Sequence, residues 1–177
     1  MRKNHLIQRS VLVWPALLFI ALVVALPANA SGPFDGNWVF KYSCDGTTGA
    51  YAESCLRGDG DYFALVNLTQ SRDRICGTHL LTAYGQKKID EGDLAGGGPS
   101  IYGTVVGNVA TVRFRSTWTG AIGIATITVD KASIVWHVTK PIKEQNAFPD
   151  DAVLSGGIPN LTYRSTRCGA APDNSRE

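Results

Sequence analysis

The chain has no glycine-rich phosphate loop, no dinucleotide fingerprint and no Gly-x-Ser-x-Gly elbow, so no motif fixes nucleotide chemistry or a serine nucleophile. It has no Cys-x-x-Cys pair, and a zinc site needs clustered ligands. Histidine is scarce: after residue 30 only His79 and His137 remain. A basic surplus is missing too, although the whole chain has a formal net charge of +2. Arg2, Lys3 and Arg9 account for three of the 17 Lys+Arg and sit in the first thirty residues with no acidic residue beside them. Residues 31–177 carry 14 basic against 15 acidic side chains, a net of −1. Affinity for phosphate backbones needs a basic surface, so nucleic acid is not an expected partner.

Those first thirty residues read as an export signal. The basic start leads into an apolar run from Val11 to Leu26, and Ala28-Asn29-Ala30 provides a small-residue cleavage site before Ser31. The apolar run is short for a membrane span and Pro15 interrupts it, so no span is expected after cleavage. The expected product is periplasmic or secreted: one domain over residues 31–169 and a loose polar tail over 170–177. Its four cysteines, Cys44, Cys55, Cys76 and Cys168, are an even set in an exported chain and read as two disulfides.

What the sequence does have is alternation. Between residues 100 and 139 four β-rich runs succeed one another, at 100–106, 109–117, 121–130 and 133–139. Gly107-Asn108 and Lys131-Ala132 mark tight reversals. Ala110, Val112 and Phe114 alternate with Thr111, Arg113 and Arg115; Ile134, Trp136 and Val138 alternate with Val135, His137 and Thr139. One face of this antiparallel meander is apolar. Further strands are predicted over 38–42, 61–69, 74–83 and 160–168, the second with Tyr62, Ala64, Val66 and Leu68 on one face. Eight consecutive strands predict an all-β, up-and-down barrel, with a two-sheet sandwich as the alternative.

Parity places the connections. With the first strand running up, the lower turns at 70–73, 107–108 and 131–132 are tight, whereas the upper connections at 44–60, 84–99 and 140–159 are long. The fourth upper connection, 118–120, is short; residues 142–148 suit one helical turn. Only the pairing Cys44 with Cys55 and Cys76 with Cys168 keeps each bridge at one end.

The Gly36-x-Trp38 opening, the eight-strand meander and the basic closing run with Arg164 and Arg167 resemble lipocalin- or avidin-type barrels. In lipocalins such a Trp packs near a basic residue of the last strand, a role that resemblance gives to Trp38 with Arg164 or Arg167. The segments Arg74-Ile75-Cys76-Gly77-Thr78-His79, Ile89-Asp90-Glu91-Gly92 and Ile134-Val135-Trp136-His137-Val138 are similar to those of small exported bacterial proteins, a likeness that brings no activity with it.

The expected function is non-enzymatic binding at the long-loop end by a monomeric barrel. The upper connections hold Arg57, Lys87, Lys88, Lys140 and Lys143 against Asp45, Glu53, Asp59, Asp90, Glu91, Asp93, Glu144, Asp150 and Asp151, a local charge of −4. Candidate binding residues are Asp59, Asp61, Asp90, Glu91, Asp93 and Trp118. The expected partner is a small-molecule ligand or a cationic protein, which an acidic rim would steer. An inhibitor of a basic extracellular enzyme, such as a lysozyme or protease, is the alternative, and an exported enzyme a further one. No cofactor is expected. The acidic clusters offer oxygens to calcium, yet neither follows the twelve-residue calcium loop, and Asp-Gly pairs serve turns. A hollow interior would favour a small ligand; a filled one, an inhibitor or interaction protein.

Overall fold

The computed structural model describes residues 32–85, 87–92, 98–143 and 148–157. Within these residues nine antiparallel strands run in chain order: β1 Gly36–Lys41, β2 Tyr62–Ser71, β3 Arg74–Ala83, β4 Lys88–Glu91, β5 Ile101–Val106, β6 Val109–Arg115, β7 Ile122–Asp130, β8 Ser133–Lys140 and β9 Asp151–Gly156. Each strand of β1, β2, β3, β5, β6, β7 and β8 pairs with the next, and β9 pairs with both β8 and β1. The result is a closed eight-stranded barrel, which excludes the sandwich. β4 lies outside the ring. Among the described residues it pairs only with the upper half of β3, from Leu80 to Ala83, beyond the point where β5 stops.

The alternation read from the sequence becomes the inside and outside of the wall. Ala110, Val112, Phe114, Ala125, Ile127, Ile134 and Trp136 are buried, whereas Thr111 and His137 are exposed. Gly107 turns the β5–β6 hairpin with φ of +63°, a left-handed value that glycine adopts without strain. Gly123 stands opposite Phe114 in the ladder, and a Cβ there would fall 2.2 Å from the ring, so only glycine leaves room for that ring.

Aromatic side chains fill the interior. Trp136 stacks edge-to-face on Phe63 and on Phe114, each at 5.1 Å between centroids. Phe148, from the β8–β9 connection, lies 4.7 Å from Phe114 and 5.7 Å from Phe63. Phe148 and Ile142 close the upper end; Phe34, wholly buried, closes the lower. Asp35 anchors that lower plug by accepting from the backbone N–H groups of Gly32 and Gln70.

Three departures from the expected chain have physical causes. β9 occupies the eighth place in the ring, within the stretch expected to be a long connection, whereas residues 160–168 lie outside the described residues. The 84–99 connection contains β4. In β2 a bulge at Asn67, with φ of +49°, breaks the alternation. Phe63, Leu65 and Leu68 therefore belong to the barrel core, whereas Ala64 and Val66 form a second cluster with Leu80, Val39 and Tyr62. The four residues expected on one face thus divide between two. The helical turn expected over 142–148 lies largely outside the described residues.

Trp38 sits at the lower end, half-buried, donating its indole N–H to Phe34 O and pairing with Gly156 of the closing strand. Its suggested partners, Arg164 and Arg167, lie outside the described residues. Cys44 and Cys55 are bridged, with Cα atoms 5.8 Å apart, across the short helix α1, Gly49–Ser54. Cys76 is also disulfide-bonded; Cys168, its expected partner, lies outside the described residues. Replacing Cys44 and Cys55 together by serine should lower stability by roughly 3 kcal/mol, the chain-entropy value for so short a loop. Urea melts of the double variant check this, and an unchanged midpoint would show that the bridge does not restrain the unfolded chain.

His137 and Asp151 pair across β8 and β9 at 2.6 Å, both largely exposed. His137→Ala should change stability by less than about 1 kcal/mol, as exposed pairs do. A larger loss in a thermal melt would mean that the outer wall carries more of the fold than its exposure allows.

Candidate functional site

The long-loop end is held by a buried polar network that joins four parts of the chain. β3 turns His79 inward, on the same side as Ile75 and Leu81. Ser100, just before β5, accepts from the His79 backbone N–H at 3.0 Å, and its Oγ lies 2.8 Å from His79 Nδ1. On the other side of the ring, His79 Nε2 stands 3.1 Å from Asp90 Oδ1, off the line of an ideal hydrogen bond. Asp90 is wholly buried and accepts from Ser116 Oγ at 2.6 Å, from the Thr117 backbone N–H at 2.9 Å and from the Thr117 hydroxyl. Ser116 Oγ accepts in turn from the Trp118 backbone N–H, and the Trp118 indole donates to Ile89 O at 2.9 Å. Gly92 fits against this cluster because it has no side chain: a Cβ would fall 1.9 Å from Ser100 Oγ.

The arrangement has a mechanical purpose. β5 begins too late to pair with upper β3, which leaves β4 with one strand neighbour among the described residues. Asp90 ties β4 to the end of β6 across that gap. Burial pushes the Asp90 carboxyl up, but the close approach of the His79 ring and the hydrogen bonds from Ser116 and Thr117 outweigh it and hold the pKa at about 2. Asp90 stays ionised at neutral pH.

Ser100, His79 and Asp90 stand in the order of a hydrolase relay. Ser100 has no exposed surface, and its oxygen already accepts from backbone. The serine lies on Nδ1 and the carboxylate on Nε2, the reverse of the serine-protease arrangement. These groups brace the loop end.

Apolar side chains are also exposed at this end. Tyr84 is 71% exposed, Ile89 50% and Leu56, in the turn after α1, 80%. The Lys88 ammonium lies 5.3 Å from the centre of the Tyr84 ring and 5.7 Å from that of Trp118, within cation–π range of both. Tyr84 itself has φ of +58°, a conformation that costs a non-glycine residue energy and that the turn enforces. Asp61 fixes the turn from below: it accepts from Tyr51 Oη and from the Gly85 backbone N–H, each at 3.0 Å.

The six expected binding residues thus separate. Asp90 and Asp61 are buried supports. Trp118 is half-buried beside Lys88, Glu91 is half-buried, Asp59 is exposed on the α1 side, and Asp93 lies outside the described residues. Of the nine carboxylates in these connections Asp90 is buried but ionised, Asp93 and Glu144 lie outside the described residues, and Asp45, Glu53, Asp59, Glu91, Asp150 and Asp151 are exposed or half-buried. Beside its charged groups the end also presents exposed apolar side chains. Among the described residues no three His, Cys, Asp or Glu side chains lie together as a metal site.

The sequence reading missed His79, Ser100, Ser116 and Thr117 as a set. One signal was present: His79 falls at the inward parity of Ile75 and Leu81. No family model, curated protein or solved structure matches the chain.

Proposed function

We propose that the barrel is a non-enzymatic binding protein that docks a protein partner on its long-loop end. The observation that carries this reading is the filled interior: Phe34, Phe63, Phe114, Phe148 and Trp136 occupy the space that a ligand-storing barrel would leave open. Recognition then falls to the surface, where Leu56, Tyr84, Ile89 and Trp118 offer apolar contact and Lys88 a charge. Aromatic anchors on a rigid support are what protein interfaces use. Nine carboxylates against five cations in the connections of this end favour a basic partner, and inhibition of a basic extracellular enzyme is one form of this reading. The Cys44–Cys55 disulfide suits an oxidising compartment, in keeping with a periplasmic or secreted location.

Immobilised wild-type protein should retain a partner from envelope or culture-medium extract, and the same matrix carrying Tyr84→Ser with Ile89→Ser should lose it. A Val106→Ser control at the opposite end should behave as wild type. Equal retention on all three would refute the loop-end assignment.

A further inference from the structure

A second feature of the loop end stands apart from the Tyr84 and Ile89 rim. Between the β6–β7 turn and the chain leaving β8 lies a cavity of about 480 Å³, open on one side. Ala121, Ile122, Pro141 and Ile142 supply its apolar surface. Ile142 is buried and Ile122 half-buried, so the floor is fixed by the fold. Lys140 and Lys143, both exposed, are also in its walls. Among the described residues no carboxylate lines it. Arg115, opposite Ile122 in the β6–β7 ladder, adds a third cation on the adjoining strand.

An apolar floor next to two ammonium groups distinguishes among ligands. A neutral hydrocarbon would gain only the floor, and a cation would be repelled. An anion without an apolar body would gain only exposed charge, which water and salt screen. A molecule with an apolar body and one acidic head gains both, and the volume falls within the range of small-molecule pockets. We propose that this cavity binds an amphipathic monoanion, of the class of medium-chain fatty acids and aryl carboxylates, with its body on Ile122, Pro141 and Ile142 and its head between Lys140 and Lys143. This site is independent of the protein-docking reading, since Tyr84 and Ile89 take no part in it.

The test uses the soluble protein and 8-anilinonaphthalene-1-sulfonate, a fluorescent apolar sulfonate. The expected result is saturable binding of one probe per protein, displaced by dodecanoate below its micelle concentration and not by dodecyltrimethylammonium. The Lys140→Gln, Lys143→Gln double variant should bind at least tenfold more weakly with an unchanged melting temperature, and Ile122→Asp should abolish binding. Tyr84→Ser with Ile89→Ser should bind the probe as wild type does, which separates this site from the docking rim. Affinity unchanged in the lysine variant, or equal displacement by the cationic detergent, would overturn the proposal. So would adsorption to anionic phospholipid vesicles without binding of the free acid, since that assigns the lysines to a membrane surface.

Discussion

Trp136→Ala is expected to destabilise the protein by roughly 3–5 kcal/mol, the usual cost of emptying a large buried site. Trp136 has no exposed surface and stacks on both Phe63 and Phe114, so its loss opens a cavity between strands on opposite sides of the barrel. Its indole N–H also donates to Pro149 O at 2.9 Å, which holds the β8–β9 connection over the upper end. Neighbouring side chains cannot collapse into the gap, because the closed hydrogen-bond ring fixes the strand spacing. Denaturant unfolding measures the loss. A cost below about 1 kcal/mol would mean that the interior is looser than its packing indicates, and would reopen the case for a ligand inside the barrel.

Asp90→Ala should cost nearly as much, roughly 3–5 kcal/mol, for a different reason. It leaves the Ser116 hydroxyl, the Thr117 hydroxyl and backbone N–H, and the His79 ring without their shared acceptor. The damage should be local as well as global. Amides of β4 and of residues 116–118 should exchange faster, whereas the lower turns should be unaffected. Acid should reproduce part of the effect. The Asp90 pKa is depressed from 3.8 to about 2 in the folded protein, so its contribution is complete above pH 4 and is lost as pH falls from about 4 towards 2. That contribution amounts to about 2 kcal/mol. Asp90→Asn should flatten the stability profile across this window; an unchanged profile would show that Asp90 does not carry the dependence.

These two residues also show where the sequence was legible. Trp136 lies in a run whose neighbours alternate without interruption, and alternation is local, so its inward position could be read directly. Asp90 could not be read that way. β4 reverses the hydropathy rule: Ile89 is half exposed and Asp90 wholly buried. Only the meeting of β3, β4, the start of β5 and the end of β6 reveals the reason, and that meeting depends on where β5 begins. β9 was hidden by a milder form of the same effect. Its inward residues, Ala152 and Leu154, alternate with Val153, which is 60% exposed, and the strand begins at the second of two aspartates that read as loop. Asn67 shows a third limit, because a bulge transfers the residues after it to the other face and leaves no mark in the hydrophobic pattern. Charge counted along a connection likewise does not say which carboxylates are buried, as Asp90 shows.

Partners are proposed to meet this barrel at its long-loop end, and site-specific photo-crosslinking in the cells that produce the protein tests that most directly. The probe, p-benzoylphenylalanine, is placed at Ile89 on the loop end or at Val106 on the opposite end. Both positions are exposed, at 50% and 81%, so either tolerates the probe. A discrete crosslinked partner is expected from position 89 and none from position 106. A partner captured from position 106 and absent from position 89 would contradict the loop-end assignment.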